Sequence, residues 1–83
     1  MSVYCAEVLS PRQQVKALLI TEKPEGFFLE RLGEDGMLEH RTQHETLDDA
    51  MYEAYAQYGR ISEWRFCPDD VDPLDYLRTR SES

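Results

Sequence analysis

Positive charge is scarce in this chain, and lysine is scarcest of all. Nine Lys and Arg stand against 17 Asp and Glu in 83 residues, for a formal net charge of -8. Only Lys16 and Lys23 are lysines. Nucleic-acid backbones are gripped by clustered cations, so the balance argues against a nucleic-acid partner. An anionic membrane surface would repel the chain for the same reason. No apolar run approaches the roughly 20 residues that cross a bilayer. The opening MSVYCAE lacks the basic start and apolar stretch of a secretory leader, so a cytoplasmic location is expected. Cysteine is limited to Cys5 and Cys67, with no C-x-x-C pair; the two could pair and tie the N-terminal segment to a late strand, but without a secretory leader two free, mostly buried thiols are expected.

What is present is enough apolar material for one small core. Hydrophobic residues make up 41% of the chain and aromatic residues 11%, which sets aside the disordered and low-complexity classes. A single domain over 1–83 is expected, with an extended arm or edge strand over 1–14, a β-β-β-α-β core over 15–67, and an acidic loop with a short helical tail over 68–83. VKALLIT, residues 15–21, is the most apolar run and reads as a strand covered on both faces. Pro24 and Gly26 mark a turn, FFLERL (27–32) the return strand, Gly33–Gly36 a tight turn, and MLEHRT (37–42) a third strand. Thr46 is placed to cap a helix with Asp48 and Asp49 in its first turn. Leu47, Met51, Ala54 and Tyr58 recur at helical spacing, with Tyr55 beside them, while Asp49, Glu53 and Gln57 fall on the water side. Gly59 ends the helix in the left-handed position. RISEWRFC (60–67) reads as a last strand, and Asp72-Pro73 as the start of the tail helix. The expected architecture is α+β: an antiparallel sheet of three to four strands, one main helix on one face, and a short C-terminal helix.

One helix covers one face of a sheet, yet apolar side chains fall on both parities of residues 15–32. Either the tail covers the second face through Leu74, Tyr76 and Leu77, or a second copy does, as a homodimer.

Candidate chemistry is thin. His40 and His44 have helical metal-pair spacing but lie on a strand and in a turn, so no metal site is expected. The cluster Asp69, Asp70, Asp72, Asp75 lacks the glycine and terminal glutamate of a calcium loop. It reads as a solvated loop or as a contact for a partner's cations. Glu30 and Glu39 are placed to face each other across a hairpin, without a pocket to make them an acid–base pair. No phosphate loop, dinucleotide fingerprint or nucleophile elbow is present, and no cofactor is implied. Tyr52, on the helix flank beside acids, is an aromatic that could anchor a partner, although a core or boundary role is the favoured reading.

Residues 15–58 resemble HicB-type antitoxin domains in pattern. These run strand, glycine-containing turn, strand, strand, then a helix opened by a Thr-Leu-Glu-Glu-Ala-like stretch, matched here by Thr46-Leu47-Asp48-Asp49-Ala50. The Pro-rich loop and DNA-binding tail of that family have no counterpart. The whole chain is similar to small bacterial proteins of uncharacterised role that carry a Phe28-Leu29-x-Arg31-Leu32 stretch, Asp35-Gly36 and a late Trp64. The expected function is a non-catalytic protein–protein interaction module of antitoxin, immunity or adaptor type. It would use Tyr52, Asp69, Asp70 and Asp72 against a basic partner. The alternative is a small-ligand or metal-binding domain with a polar pocket near Arg31, Arg41 and His40.

Overall fold

Two tight turns set the sheet. The computed structural model describes residues 3–10, 12–67 and 76. Strands β2 (Val15–Lys23) and β3 (Gly26–Gly33) form a hairpin in which Lys23 pairs with Gly26, leaving Pro24 and Glu25 as a two-residue loop. Gly26 has φ 141°, and a Cβ there would lie 2.8 Å from the His44 carbonyl oxygen. Only glycine permits both the backbone conformation and that approach. Strand β4 (Leu38–His44) returns along β3 after the Gly33–Gly36 turn. Arg31 pairs with His40 but Leu32 with Leu38, so Glu39 is the extra residue of a β-bulge near the start of β4.

The sheet has five antiparallel strands in the order β4-β3-β2-β1-β5. Strand β1 (Val3–Glu7) is neither an arm nor an edge: it lies between β2 and β5 (Arg65–Phe66), hydrogen-bonded to both. Its loose alternation hid this, because one of its neighbours, β5, is both distant in the chain and only two residues long. The last strand is much briefer than the 60–67 run suggested. Over that stretch pairing is confined to a bridge from Ile61 to Val8 and to Arg65–Phe66.

Helix α1 (Leu47–Tyr58) begins as expected. The Thr46 hydroxyl accepts from the Asp49 backbone N–H at 3.0 Å, with Asp48 and Asp49 in the first turn. Its buried face is Ala50, Ala54 and Tyr58, with Leu47 and Met51 half-buried; Tyr55 is 45% exposed. Two alanines at the centre let the helix settle close to the sheet. Gly59 differs from the expected left-handed cap. At φ 76° and ψ -59°, with the Arg60 N–H donating to the Tyr58 carbonyl at 2.8 Å, it forms a γ-turn.

The main core lies between α1 and the sheet: Val8, Leu18, Ile20 and Leu29 against Ala50, Ala54 and Tyr58. On the other face Cys5, Ala17 and Cys67 form a second buried cluster, ringed by Val3, Leu19, Leu32 and Tyr76. Tyr76 thus packs on the second face from within the chain. Leu74 and Leu77, and the expected acidic loop and tail helix, otherwise lie outside the described residues.

Candidate functional site

Side chains alternate along β3, so Phe27, Leu29 and Arg31 all point toward the helix. Arg31 is therefore carried into the interior, where it is only 2% exposed. A buried guanidinium costs free energy unless its donors are met. Its Nε donates to Gln57 Oε1 at 2.9 Å, and Nη1 donates to the Leu29 carbonyl at 3.3 Å and to Thr42 Oγ1 at 3.1 Å. Tyr58 lies close enough to Arg31 for its hydroxyl to feel the guanidinium. Burial raises the Tyr58 pKa above the ordinary phenol value, and the adjacent Arg31 charge opposes that rise.

The same network continues into the first turn of α1. Thr42 Oγ1 lies 2.8 Å from His44 Nε2, and His44 Nδ1 lies 2.9 Å from Asp49 Oδ2. One assignment of hydrogens satisfies every group. The guanidinium donates to the Thr42 oxygen, the Thr42 hydroxyl donates to His44 Nε2, and His44 Nδ1–H donates to the Asp49 carboxylate. Among the described residues Arg31 has no carboxylate within ion-pair distance. The chain of bonds instead links its charge to Asp49.

Hydroxyl, imidazole and carboxylate stand in the order used for acyl transfer. Here, however, the Thr42 oxygen is already engaged by a buried guanidinium, and His44 is mostly covered, with 10% of its side chain exposed. The groups are bonded to one another in a relay from the guanidinium to the carboxylate. Residues of β3 and β4 grip both ends of α1, Asp49 in its first turn and Gln57 in its last.

That grip presents the outer face of α1 in a fixed position. Asp48, Tyr52, Glu53 and Ala56 are all exposed, with Tyr52 at 74%. The 12-residue helix carries three carboxylates and no Lys or Arg. Tyr52 thus stands clear of the core, not at the core boundary favoured from the sequence. Asp69, Asp70 and Asp72 lie outside the described residues.

The three residues suggested for a ligand pocket do not converge. Arg31 is buried under α1, and His40 is its register partner on β4, exposed. Arg41 lies on the opposite face, its guanidinium carbon 4.4 Å from the Phe28 ring centroid, with Lys23 Nζ 5.5 Å from the same centroid. Glu30 pairs with Arg41 rather than Glu39, and its carboxylate accepts from the Thr21 hydroxyl at 3.3 Å. An open hollow lies elsewhere, lined by Arg12, Lys16, Glu34, Asp35 and Glu39, where charges of both signs meet. Among the described residues no group of three or more His, Cys, Asp or Glu side chains is placed to hold a metal ion.

Thr42, His44, Asp49 and Gln57 were not singled out together from the sequence. A usable signal existed for Arg31: its parity with Phe27 and Leu29 puts it on the core face, where it requires partners. The fold and site define an α+β protein with one antiparallel sheet and one clamped helix. No protein-family model, curated protein or solved structure matches the chain.

Proposed function

We propose that this chain is a non-catalytic protein-binding module of antitoxin, immunity or adaptor type, docking a basic partner on the outer face of α1. The observation that carries this reading is Tyr52, 74% exposed on a helix with three carboxylates and no cation. A tyrosine offers a large, stiff contact surface at little entropic cost, and it is enriched among residues that dominate binding energy. Surrounding carboxylates steer a cationic partner and select against acidic ones. The clamp from Arg31 to Asp49 supports the reading as well, since a helix held in place loses little freedom on binding.

The test is affinity capture of the tagged chain from extract of its native cells, at low and high salt, alongside Tyr52→Ala and Glu53→Lys. A basic protein should be retained at low salt, released at high salt, and bound at least about tenfold more weakly by Tyr52→Ala. Equal retention of that protein by both variants would overturn the assignment to α1.

A further inference from the structure

The second core cluster holds both cysteines of the chain, and the sheet places them together. Cys5 sits in β1 opposite Arg65. Cys67 follows β5 directly, its backbone N–H donating to the Val3 carbonyl at 2.8 Å. The two residues are therefore diagonal neighbours on adjacent antiparallel strands, with side chains on the same face. Both are buried, at 0% and 2% exposure, in one cluster and are not joined as a disulfide.

We infer that Cys5 and Cys67 are a disulfide-forming pair, a modification site at which oxidation locks β5 onto β1. Diagonal placement asks for some adjustment, because a disulfide needs the Cβ atoms within about 4.5 Å. The local structure allows it. β5 has only two paired residues, and Cys67 lies just beyond them. The same brevity provides the route of reaction. Within the closed sheet, burial and the neighbouring Cys67 push the Cys5 thiol up to about 12, so almost no thiolate forms there at neutral pH. In the refolding chain both sulfurs are open to solvent before β5 docks, and docking of β5 on β1 brings them together.

The oxidant considered is a small-molecule disulfide. The Cys67 thiolate attacks one of its sulfurs, forming a mixed disulfide and releasing one small thiolate. The Cys5 thiolate then attacks Cys67 Sγ, forming the Cys5–Cys67 bond and releasing the second small thiolate. The two protons lost by the cysteines go to the two released thiolates, and two electrons pass from the cysteine pair to the small disulfide.

The experiment refolds the full chain from urea in a glutathione and glutathione disulfide buffer, with intact mass, alkylation and urea unfolding as readouts. The expected product is a monomer about 2 Da lighter than the dithiol, closed to alkylation, and restored by dithiothreitol. Because the bond spans most of the chain, its urea midpoint should rise by on the order of 2 M over the reduced protein. Cys5→Ala and Cys67→Ser should each show no such rise. Three results would overturn the pairing: two glutathione adducts per chain, disulfide-linked dimers in place of the monomer, or an intramolecular bond that lowers the midpoint.

Discussion

His44, the last residue of β4, holds Asp49 in the first turn of α1, with Nδ1 2.9 Å from the carboxylate oxygen. The contact turns a strand end into a helix clamp, because the other imidazole nitrogen is engaged by Thr42. Its two ends are unequal: 10% of the His44 side chain is exposed, against 62% for Asp49. His44→Ala leaves a half-buried hydroxyl without its partner and should cost about 1–2 kcal/mol. Asp49→Ala should cost less, about 0.5 kcal/mol, since water takes over much of the exposed carboxylate's role. Urea unfolding of the two variants measures the difference, and equal losses would show that the relay is not anchored at His44.

Arg31 separates packing from charge. Arg31→Met keeps most of the buried volume and removes a desolvated cation, so its cost should stay near 1 kcal/mol. Arg31→Ala empties the same space and should cost about 3 kcal/mol. Arg31→Lys keeps the charge without the fork that reaches Gln57 and Thr42 together, and should fall between them. The order of urea midpoints decides the matter, and Met falling below Ala would mean that the guanidinium's bonds outweigh its volume.

Gly59 has φ 76°, yet a Cβ built there meets nothing within 4 Å. Any penalty at this position is therefore one of backbone conformation alone. Gly59→Ala should destabilise by about 1–2 kcal/mol, with no change in the circular dichroism of the folded state. A neutral substitution would mean that the turn reshapes freely.

Alkaline pH should weaken the fold through Cys5. Its folded-state pKa is raised from 9.0 to about 12, first by burial and then by Cys67. Above pH 9 the unfolded chain releases this proton while the folded one retains it, so stability present below pH 9 is lost progressively toward pH 12. Tyr58, also raised, acts in the same direction at the alkaline end. Unfolding free energy measured against pH should fall less steeply for Cys5→Ala than for the parent chain. Parallel curves would assign the alkaline loss to other groups.

The central hairpins were legible because their turns carry Pro24, Gly26, Gly33 and Gly36, and α1 because Thr46, Leu47, Met51, Ala54 and Tyr58 repeat at helical spacing. Ala50 was missed as a core residue, since its small side chain contributes little to an apolar pattern. The interior place of β1 was hidden for a different reason. It depends on pairing Tyr4 with Phe66, and no local pattern encodes a contact so far along the chain. The relay has the same character. Arg31 and Gln57 are 26 residues apart, and Gln57 looks like any other solvent-facing helix residue until the sheet is placed beneath it.

The order in which the chain is made gives β1 a provisional status. It emerges first, yet one of its two neighbours, β5, is among the last described residues to be synthesised. Without β5 the sheet would have four strands, and Val3–Glu7 would be its outer rim, with one row of backbone groups turned to water. A rim of this kind invites pairing with other chains. The two-residue β5 closes the middle of that rim, and Ser62 and Cys67 on either side of it close the Glu7 and Val3 ends.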